Sequence, residues 1–221
     1  NLHGDDWHRQ MESDFQPRLQ RMRREAAEQG YIAPGVVYGY YPCGSDGDDL
    51  VVLDPADRSR QLFRFSFPRQ PGGECLCLAD YFAPVDSGRS DVVAFQVVTA
   101  GARASELVQR LQQEGDYSDA YHVHGLSVQT AEALAEYTHR LIRRELRLPA
   151  EQGRRYSWGY PACPDISDHR KVLDLLGARE AIGVDLTVAH LLVPEQSTAA
   201  MVVHHPQARY YSTLPRPTVG P

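Results

Sequence analysis

Residues 154–165 read RRYSWGYPACPD, a run that combines an arginine pair with several backbone constraints. Pro161 and Pro164 each fix φ at about −65° and bias the residue before them toward extended geometry. Gly159 has no Cβ, so another group can approach its backbone closely. We therefore expect a stiff loop that presents main-chain groups to a ligand.

The residues that follow this loop predict a short helix. Asp165 is a suitable N-cap, because its carboxylate can accept hydrogen bonds from free N–H groups of the first turn. Asp168 adds negative charge near the positive end of the helix dipole. Apolar residues then recur at helical spacing as far as Gly177, a typical C-terminal residue. The pattern favours a ligand loop docked on a helix N-terminus; the alternative is a proline-rich surface loop before an amphipathic helix.

Strand patterns occur mainly towards the two ends of the chain, and helical patterns lie between them. We expect strands at 36–41, 49–53, 60–67, 75–79, 92–99, 187–193, 199–204 and 209–212. Helices are expected at 5–29, interrupted or started again at Pro17, at 105–114 and at 116–146, with a break at Gly125. This order predicts an α+β fold with a twisted, largely antiparallel sheet flanked by helices. No strand is followed by a GxGxG turn and a helix, so the sequence argues against a Rossmann methyltransferase.

The composition is that of an ordinary globular protein, with 221 residues, 42% of them hydrophobic and 24% charged. A formal net charge of −6 argues against nucleic acid as a partner. No apolar run approaches the roughly 20 residues that a membrane span needs, and no signal peptide is apparent at the start. We expect an N-terminal helical linker at 1–30, the main domain at 31–213 and a disordered, proline-containing tail at 214–221. The first residue is Asn1 rather than Met, which suggests a piece of a longer polypeptide.

The four cysteines are predicted to be reduced residues of a cytoplasmic protein. Cys75 and Cys77 are two positions apart, which on a strand would put them on one face, and this spacing matches neither a zinc nor a redox CxxC motif. The histidine pairs at 122/124 and 204/205 lack a convincing third ligand, so a zinc protein is the weakest hypothesis.

The run RxxxGYPACPD resembles the S-adenosylmethionine-binding loop of the activation domain of cobalamin-dependent methionine synthase. Further stretches match this family in the same order along the chain, from about residue 34 to about residue 211: GVVYGYYP at 35–42, FSFPRQ at 65–70, CLADYFAP at 77–84 and AEALAEYTH at 131–139. The resemblance implies the fold of that domain for residues 31–213.

The resemblance also implies a function in methionine biosynthesis. Oxidised cob(II)alamin would be reactivated by reductive methylation, with S-adenosylmethionine as the methyl donor. Cobalamin would be held mainly by another module of the enzyme, and a flavodoxin-type protein would supply the electron. The homocysteine and folate sites of this methyltransferase would lie outside the chain. The alternative is a non-catalytic module that caps cobalamin or docks the electron donor.

The chemistry of S-adenosylmethionine defines what its site must contain. Its carboxylate calls for a guanidinium fork, and Arg155 matches the family arginine with that role. Its ammonium calls for an acid, for which Asp80 matches the family aspartate, and Glu132 matches a glutamate near the same site. The resemblance assigns the remaining contacts to main chain near the adenine and to tyrosines beside the ligand or cobalamin: Ser157, Gly159, Tyr160, Ala162, Tyr210 and Tyr211. Tyr160 matches the tyrosine that faces cobalamin.

Two features depart from the family pattern. Residues 156–158, Tyr-Ser-Trp, replace the small and proline residues usual before Gly159, so the details of the adenine contact differ. The acidic residue that often precedes the family arginine has no clear match in the short segment 148–153.

Overall fold

The computed structural model describes residues 4–149 and 151–213. Six strands within these residues form one antiparallel sheet in the order β3-β2-β1-β4-β8-β5. The strands are β1 (Gly35–Asp46), β2 (Asp49–Leu53), β3 (Gln61–Ser66), β4 (Asp91–Thr99), β5 (Arg154–Ser157) and β8 (Ser197–Val203). Two short strands, β6 (Asp185–Leu186) and β7 (Leu192–Val193), pair with each other in a separate hairpin. The α+β class with an antiparallel sheet is confirmed.

Helices lie against this sheet and at its ends. They are α1 (Asp5–Gln10), α2 (Gln16–Gln29), α3 (Ala102–Gln113), α4 (Tyr117–Glu145), α5 (His169–Leu176) and α6 (Ala178–Ile182). A π-helical turn, Met11–Phe15, joins α1 to α2. Three 3₁₀ turns, Leu78–Tyr81, Val85–Ser87 and Ile166–Asp168, lie in the connections.

The two faces of the sheet bury different side chains because residues alternate along each strand. On β4, Phe95 points into the main core, where its ring lies near those of Phe65 and Trp158. Its neighbour Ala94 points to the other face and packs with Ile142 of α4 and Val202 of β8. The long helix α4 therefore covers one face, and α5 with the residues around Trp158 covers the other.

Helix α4 runs without interruption through Gly125, so the predicted break there is wrong. Glycine costs about 1 kcal/mol relative to alanine in a helix interior, and the packing of the helix outweighs this. Asp116 begins the helix as an N-cap, with its side chain accepting a hydrogen bond from the Asp119 N–H at 3.1 Å. At the N-terminal end of the chain, Pro17 lies in the first turn of α2, directly after the π-helical turn, which agrees with a helix that starts again at this point.

The predicted strand at 75–79 is wrong. The expectation that Cys75 and Cys77 share one face of that strand is therefore wrong as well. Residues Leu78–Tyr81 form a 3₁₀ turn, which Asp80 stabilises by accepting a hydrogen bond from the Cys77 N–H at 3.1 Å. Cys75 is exposed and has a φ of 52°, whereas Cys77 is buried. The chain turns sharply at this point, which period-two alternation could not reveal.

The strand expectations near the C-terminus are only partly correct. Residues 209–212 form no strand, and 187–193 contributes only β7 to the small hairpin. The edge strand β5 lies where only a loop was expected. The domain boundaries at 30 and 213 stay predictions, and residues 1–3 and the tail 214–221 lie outside the described residues.

Candidate functional site

The edge strand β5 fixes the position of Arg155. Arg155 pairs with Val202 of β8, and Ser157 pairs with Ala200, so both side chains lie on the face that α4 covers. Glu132 projects from α4 and forms an ion pair with the Arg155 Nη2 atom. The Arg155 side chain is 14% exposed and that of Glu132 is 56% exposed, so the arginine is the enclosed partner.

One nitrogen of this guanidinium is unused. Arg155 Nη1 is buried and has no hydrogen-bond partner among the described residues. A buried charged donor without an acceptor is costly, since its lost hydration is not replaced. An anionic ligand group would supply the missing acceptor.

The loop after β5 is closed by its own hydrogen bonds. The Gly159 N–H donates to the Cys163 carbonyl, and the Cys163 N–H donates to the Tyr160 carbonyl, both at 2.9 Å. The Cys163 thiol donates to the Ser157 carbonyl at 2.9 Å. Gly159 has a φ of 89°, a region that favours glycine. The expected stiff loop is therefore held by three short-range bonds as well as by its prolines.

Asp165 caps the helical segment that follows, as expected. Its carboxylate accepts a hydrogen bond from the Ser167 N–H at 2.9 Å. The Ser167 side chain and, after it, this N–H lower the pKa of Asp165. The first turn is 3₁₀, and α5 follows from His169 to Leu176. Gly177 is its C-cap and has a left-handed backbone conformation. The loop thus lies directly before a helical start.

A cavity of about 390 Å³ lies between this loop, α4 and the C-terminal segment, and we call it the loop cavity. This size is within the range of about 300–1,000 Å³ that is usual for small-molecule sites. Seven of the nine predicted site residues line it: Glu132, Arg155, Ser157, Tyr160, Ala162, Tyr210 and Tyr211. Gly159 lies between two of these loop residues, and Asp80 is not part of the lining.

Asp80 lies at a different point and already has a cationic partner. Arg69 donates to both of its carboxylate oxygens, at 2.7 and 2.8 Å, and also pairs with Asp48. The hydrogen bonds from Arg69 hold the pKa of Asp80 below its usual value, with burial acting in the opposite direction. Asp80 is therefore ionised at neutral pH. Its Oδ2 atom accepts from both Arg69 and the Cys77 N–H, whereas Oδ1 accepts from Arg69 and keeps a lone pair for another donor.

The segment that carries Tyr211 passes close to the residues that hold Asp80. Gln70, which follows Arg69 in the sequence, donates to the Ser212 carbonyl at 3.3 Å, and burial raises the pKa of Tyr211. Tyr210 and Tyr211 also line a second cavity of about 710 Å³, bounded on its far side by Gln70 and Gly72. The two cavities thus meet at the tyrosine pair.

The C-terminal segment is tied to the loop by specific contacts. The Tyr156 hydroxyl donates to the Arg209 carbonyl at 2.8 Å, and its ring lies edge-on to that of Tyr210 with 5.5 Å between centroids. Thr213 Oγ1 donates to the Pro161 carbonyl. Residues 209–213 therefore form a wall of the site although they form no strand.

Two polar residues near the site were not predicted as site residues from the sequence. Thr198 lines the loop cavity from β8, in a strand that otherwise reads only as buried core. Arg69 belongs to the family-like stretch at 65–70, yet its pairing with Asp80 depends on a turn that the strand prediction excluded.

The histidines and cysteines take part in other contacts. His204 pairs with Asp91 at 2.6 Å, and His122 Nδ1 lies 2.6 Å from the Ser118 carbonyl. All four cysteines are free. Within residues 4–149 and 151–213, no group of three or more His, Cys, Asp or Glu side chains is arranged to hold a metal ion. In the same residues, no helix has the length and apolar character needed to cross a membrane.

Comparisons with known proteins all indicate the same family. Residues 8–215 match the family described as vitamin B12-dependent methionine synthase, activation domain. The methionine synthases of Mycobacterium tuberculosis (strain ATCC 25618 / H37Rv) and Mycobacterium leprae (strain TN) are each 39% identical over 227 aligned residues, which include 91% of this chain. The chain spans 19% of the length of these relatives.

A solved structure agrees with this match. The crystal structure of the MetH reactivation domain bound to AdoHcy superposes with a TM-score of 0.81 and 27% sequence identity, covering 96% of this chain and 73% of that one. The family match, the relatives and the shared fold coincide over nearly the whole chain. The chain belongs to the family of vitamin B12-dependent methionine synthase activation domains.

Proposed function

We propose that this chain binds S-adenosylmethionine in the loop cavity and supplies the methyl group that reactivates cob(II)alamin in a methionine synthase. The observation that carries this proposal is the Arg155 guanidinium, which is largely enclosed, lines the cavity and has one nitrogen without a partner. The neighbour of similar fold is bound to AdoHcy, which supports a ligand of the same class for this chain.

The ligand carboxylate is assigned to Arg155. A guanidinium can hold a carboxylate by two parallel hydrogen bonds, and such bonds are about twice as strong as neutral ones. Glu132 occupies one nitrogen from the α4 side, which fixes the plane of the guanidinium while leaving other N–H groups for the ligand.

The ligand ammonium is assigned to Asp80, with Glu132 as the orienting partner of Arg155. Asp80 is kept ionised by Arg69, whose neighbour Gln70 is bonded to the segment that carries Tyr211, where the two cavities meet. Glu132 lines the loop cavity itself and carries the nearer negative charge to Arg155. The ammonium and the carboxylate of the ligand are attached to one carbon atom, so an acid near the carboxylate is also near the ammonium. Variants that neutralise Asp80 and Glu132 one at a time therefore distinguish the roles of the two acids.

Adenine is assigned to the main chain of residues 156–159 and to the exposed ring of Tyr210. The loop hydrogen bonds hold this main chain in one conformation, and Ser157 and Ala162 line the cavity on either side of Gly159. Aromatic stacking and backbone hydrogen bonds suit a nucleobase, which has both a flat face and a polar edge.

Tyr160 is assigned to the cobalamin side of the site. Its side chain lines the loop cavity and yet the residue is 68% exposed, so it can contact a partner that covers the opening. Cobalamin, held by another module, would supply the reduced cobalt that takes the methyl group from the sulfonium once a flavodoxin-type protein has donated one electron. This chain needs no general acid or base for that transfer; its part is to position the methyl group in line.

We assign the chain to a methyltransferase of methionine biosynthesis and place that enzyme in the cytoplasm. Three of the four free cysteines are buried, as expected of a protein from a reducing compartment. The homocysteine and folate sites belong to the remaining parts of the enzyme.

Titration calorimetry of the purified chain with S-adenosylmethionine tests the proposal. We expect saturable binding of one ligand per chain and competition by S-adenosylhomocysteine, accompanied by a rise in melting temperature that follows ligand concentration. A chain that shields bound cobalamin but shows no binding of S-adenosylmethionine would overturn the proposal in favour of a docking module.

A further inference from the structure

A buried histidine lies on α4 beside the arginine of the loop cavity. His139 is 6% exposed and lies two helical turns after Glu132, on the same side of the helix. One turn beyond it, Ile142 packs on Val202, the residue that pairs with Arg155. This places the imidazole against the part of the sheet edge from which Arg155 projects.

The two ring nitrogens of His139 have different surroundings. Nδ1 lies 3.5 Å from Glu136 Oε2, whereas Nε2 is buried and has no hydrogen-bond partner among the described residues. A carboxylate accepts but does not donate, so Glu136 selects the tautomer with hydrogen on Nδ1. In that tautomer Nε2 carries a lone pair and is an acceptor.

Arg155 has the complementary deficiency. Its buried Nη1 atom is a donor without an acceptor, and His139 Nε2 is an acceptor without a donor. Arg143 Nε, one turn further along α4, is a second buried donor without an acceptor among the described residues, but Arg143 already donates to the Pro149 carbonyl through Nη2. The four terminal hydrogens of a guanidinium include two on its end face and two on its flanks. Glu132 accepts from Nη2, and a carboxylate bound end-on would take one hydrogen from each terminal nitrogen. The second hydrogen of Nη1 would then need one more acceptor.

The charges around His139 support its neutral form. Burial is the main cause that lowers its pKa; the positive charges of Arg143 and Arg155 act in the same direction, and Glu136 acts against them. These groups come from α4 and β5. Of the residues that pack nearby from β4 and β8, Ala94 and Val202 are apolar, and Gln96, which donates to the Ala135 carbonyl of α4, is uncharged. The imidazole is therefore neutral at pH 7.

We propose that His139 is a positioning residue, whose Nε2 atom accepts a hydrogen bond from Arg155 Nη1, directly or through one water molecule, and so sets the guanidinium for the ligand carboxylate. This inference rests on the proposed function and deepens it. It assigns His139 no contact with the ligand and no chemical step. It predicts an effect that depends on the carboxylate of the ligand.

The test compares two ligands that differ only in this group. Affinity for S-adenosylmethionine and for decarboxylated S-adenosylmethionine is measured in the wild type, in His139→Leu and in His139→Gln. We expect His139→Leu to bind S-adenosylmethionine about tenfold more weakly, the size typical for a hydrogen bond to a charged group. The decarboxylated ligand should lose little, and glutamine, which offers an amide oxygen, should restore most of the affinity. Arg140→Gln, an exposed change on the same helix, is the control and should leave both affinities unchanged.

The pH profile gives a second readout. As pH falls through the pKa of His139, which burial holds below the usual 6.5, protonation removes the acceptor, so affinity for S-adenosylmethionine should fall in the wild type but not in His139→Gln. Nitrogen NMR of the wild type at pH 7 should find Nε2 unprotonated, which keeps the inference testable even if the leucine variant does not fold.

The outcomes separate the two proposals. Equal weakening of both ligands in His139→Leu, no weakening at all, or a protonated Nε2 at pH 7 would overturn the positioning role while leaving the proposed function intact. A wild-type chain that binds neither ligand would instead overturn the proposed function.

Discussion

The Glu132 carboxylate of α4 is paired with the Arg155 guanidinium of β5, so the longest helix is joined to the edge of the sheet at the loop cavity. Both residues line that cavity. Helix α4 is held against this part of the sheet by Ile142, which packs on Val202. The core packing of α4 and the geometry of the ligand site are therefore parts of one arrangement.

Neutralising the two acids should have unequal effects. We expect Asp80→Asn to weaken S-adenosylmethionine binding about tenfold or more, because it removes the charge assigned to the ammonium. Glu132→Gln should cost less, since an amide oxygen can still accept from Arg155. Calorimetry of both variants checks the order. The reverse order would move the ammonium from Asp80 to Glu132.

Replacing Gly159 by alanine should reduce both stability and affinity. Its φ of 89° is strained for other residues, and an added Cβ would lie 3.3 Å from Ile166 Cγ2. We expect a loss of about 1–3 kcal/mol in the free energy of unfolding, measured by urea denaturation. Gly47→Ala is the matched control, because Gly47 also has a positive φ but lies in the β1–β2 turn with open space around it. It should lose stability and keep ligand affinity; equal losses of affinity in the two variants would contradict a local role for Gly159.

Thiol reagents should distinguish one cysteine from the others. Cys75 is exposed, whereas Cys163 is buried and burial raises its pKa to about 12. Burial also raises the pKa of Cys77 and of Cys43. Because the thiolate is the reactive form, titration of the native chain at pH 8 should show one fast thiol, and Cys75→Ser should remove it. Fast reaction of Cys163 would contradict the closed loop.

The His204–Asp91 pair should make stability depend on pH. The hydrogen bond that His204 donates to Asp91 raises the pKa of His204, so its contribution is complete below 6.5 and is lost as pH rises through the higher folded value. Burial opposes ionisation of Asp91, but bonds from His204 and the main chain hold its pKa below 3.8, so that contribution is lost only in acid. Stability from the pair is thus greatest between about pH 4 and 6.5.

Substitution of this histidine tests the same dependence. His204→Asn should lower the free energy of unfolding more at about pH 5.5 than at about pH 9, measured by urea denaturation at each pH. His205→Asn is the control, since the contacts of His205 with the Tyr81 ring and with the Gln207 N–H are not ionic. A penalty for His204→Asn that does not change with pH would show that the pair is not ionic.

The loop and its partners could be predicted from the sequence because local constraints and a family-like motif act together there. Proline, glycine and the Asp165 cap restrict the backbone within a few residues, and the structure has the corresponding turn and helical start. Arg155 and Glu132, 23 positions apart, were related only through the resemblance, and their ion pair is now seen directly.

The elements that escaped prediction depend on distant contacts. Strand β5 has only four residues and exists because β8 pairs with it. Residues 209–213 looked like a strand but are held by hydrogen bonds to the loop, through Tyr156 and Pro161. The Arg69–Asp80 pair requires the 3₁₀ turn at Leu78–Tyr81, which no short-range pattern indicated.

Arg155→Ala, titrated with S-adenosylmethionine beside the wild type and Arg154→Ala, is the most direct measurement of the central claim. Arg154 is the matched control, because its guanidinium donates to carbonyls of its own segment and does not line the loop cavity. We predict that Arg155→Ala weakens binding about a hundredfold, as expected when a charged hydrogen-bonding partner is removed, while Arg154→Ala binds as the wild type does. Unchanged affinity in a folded Arg155→Ala chain would contradict the account.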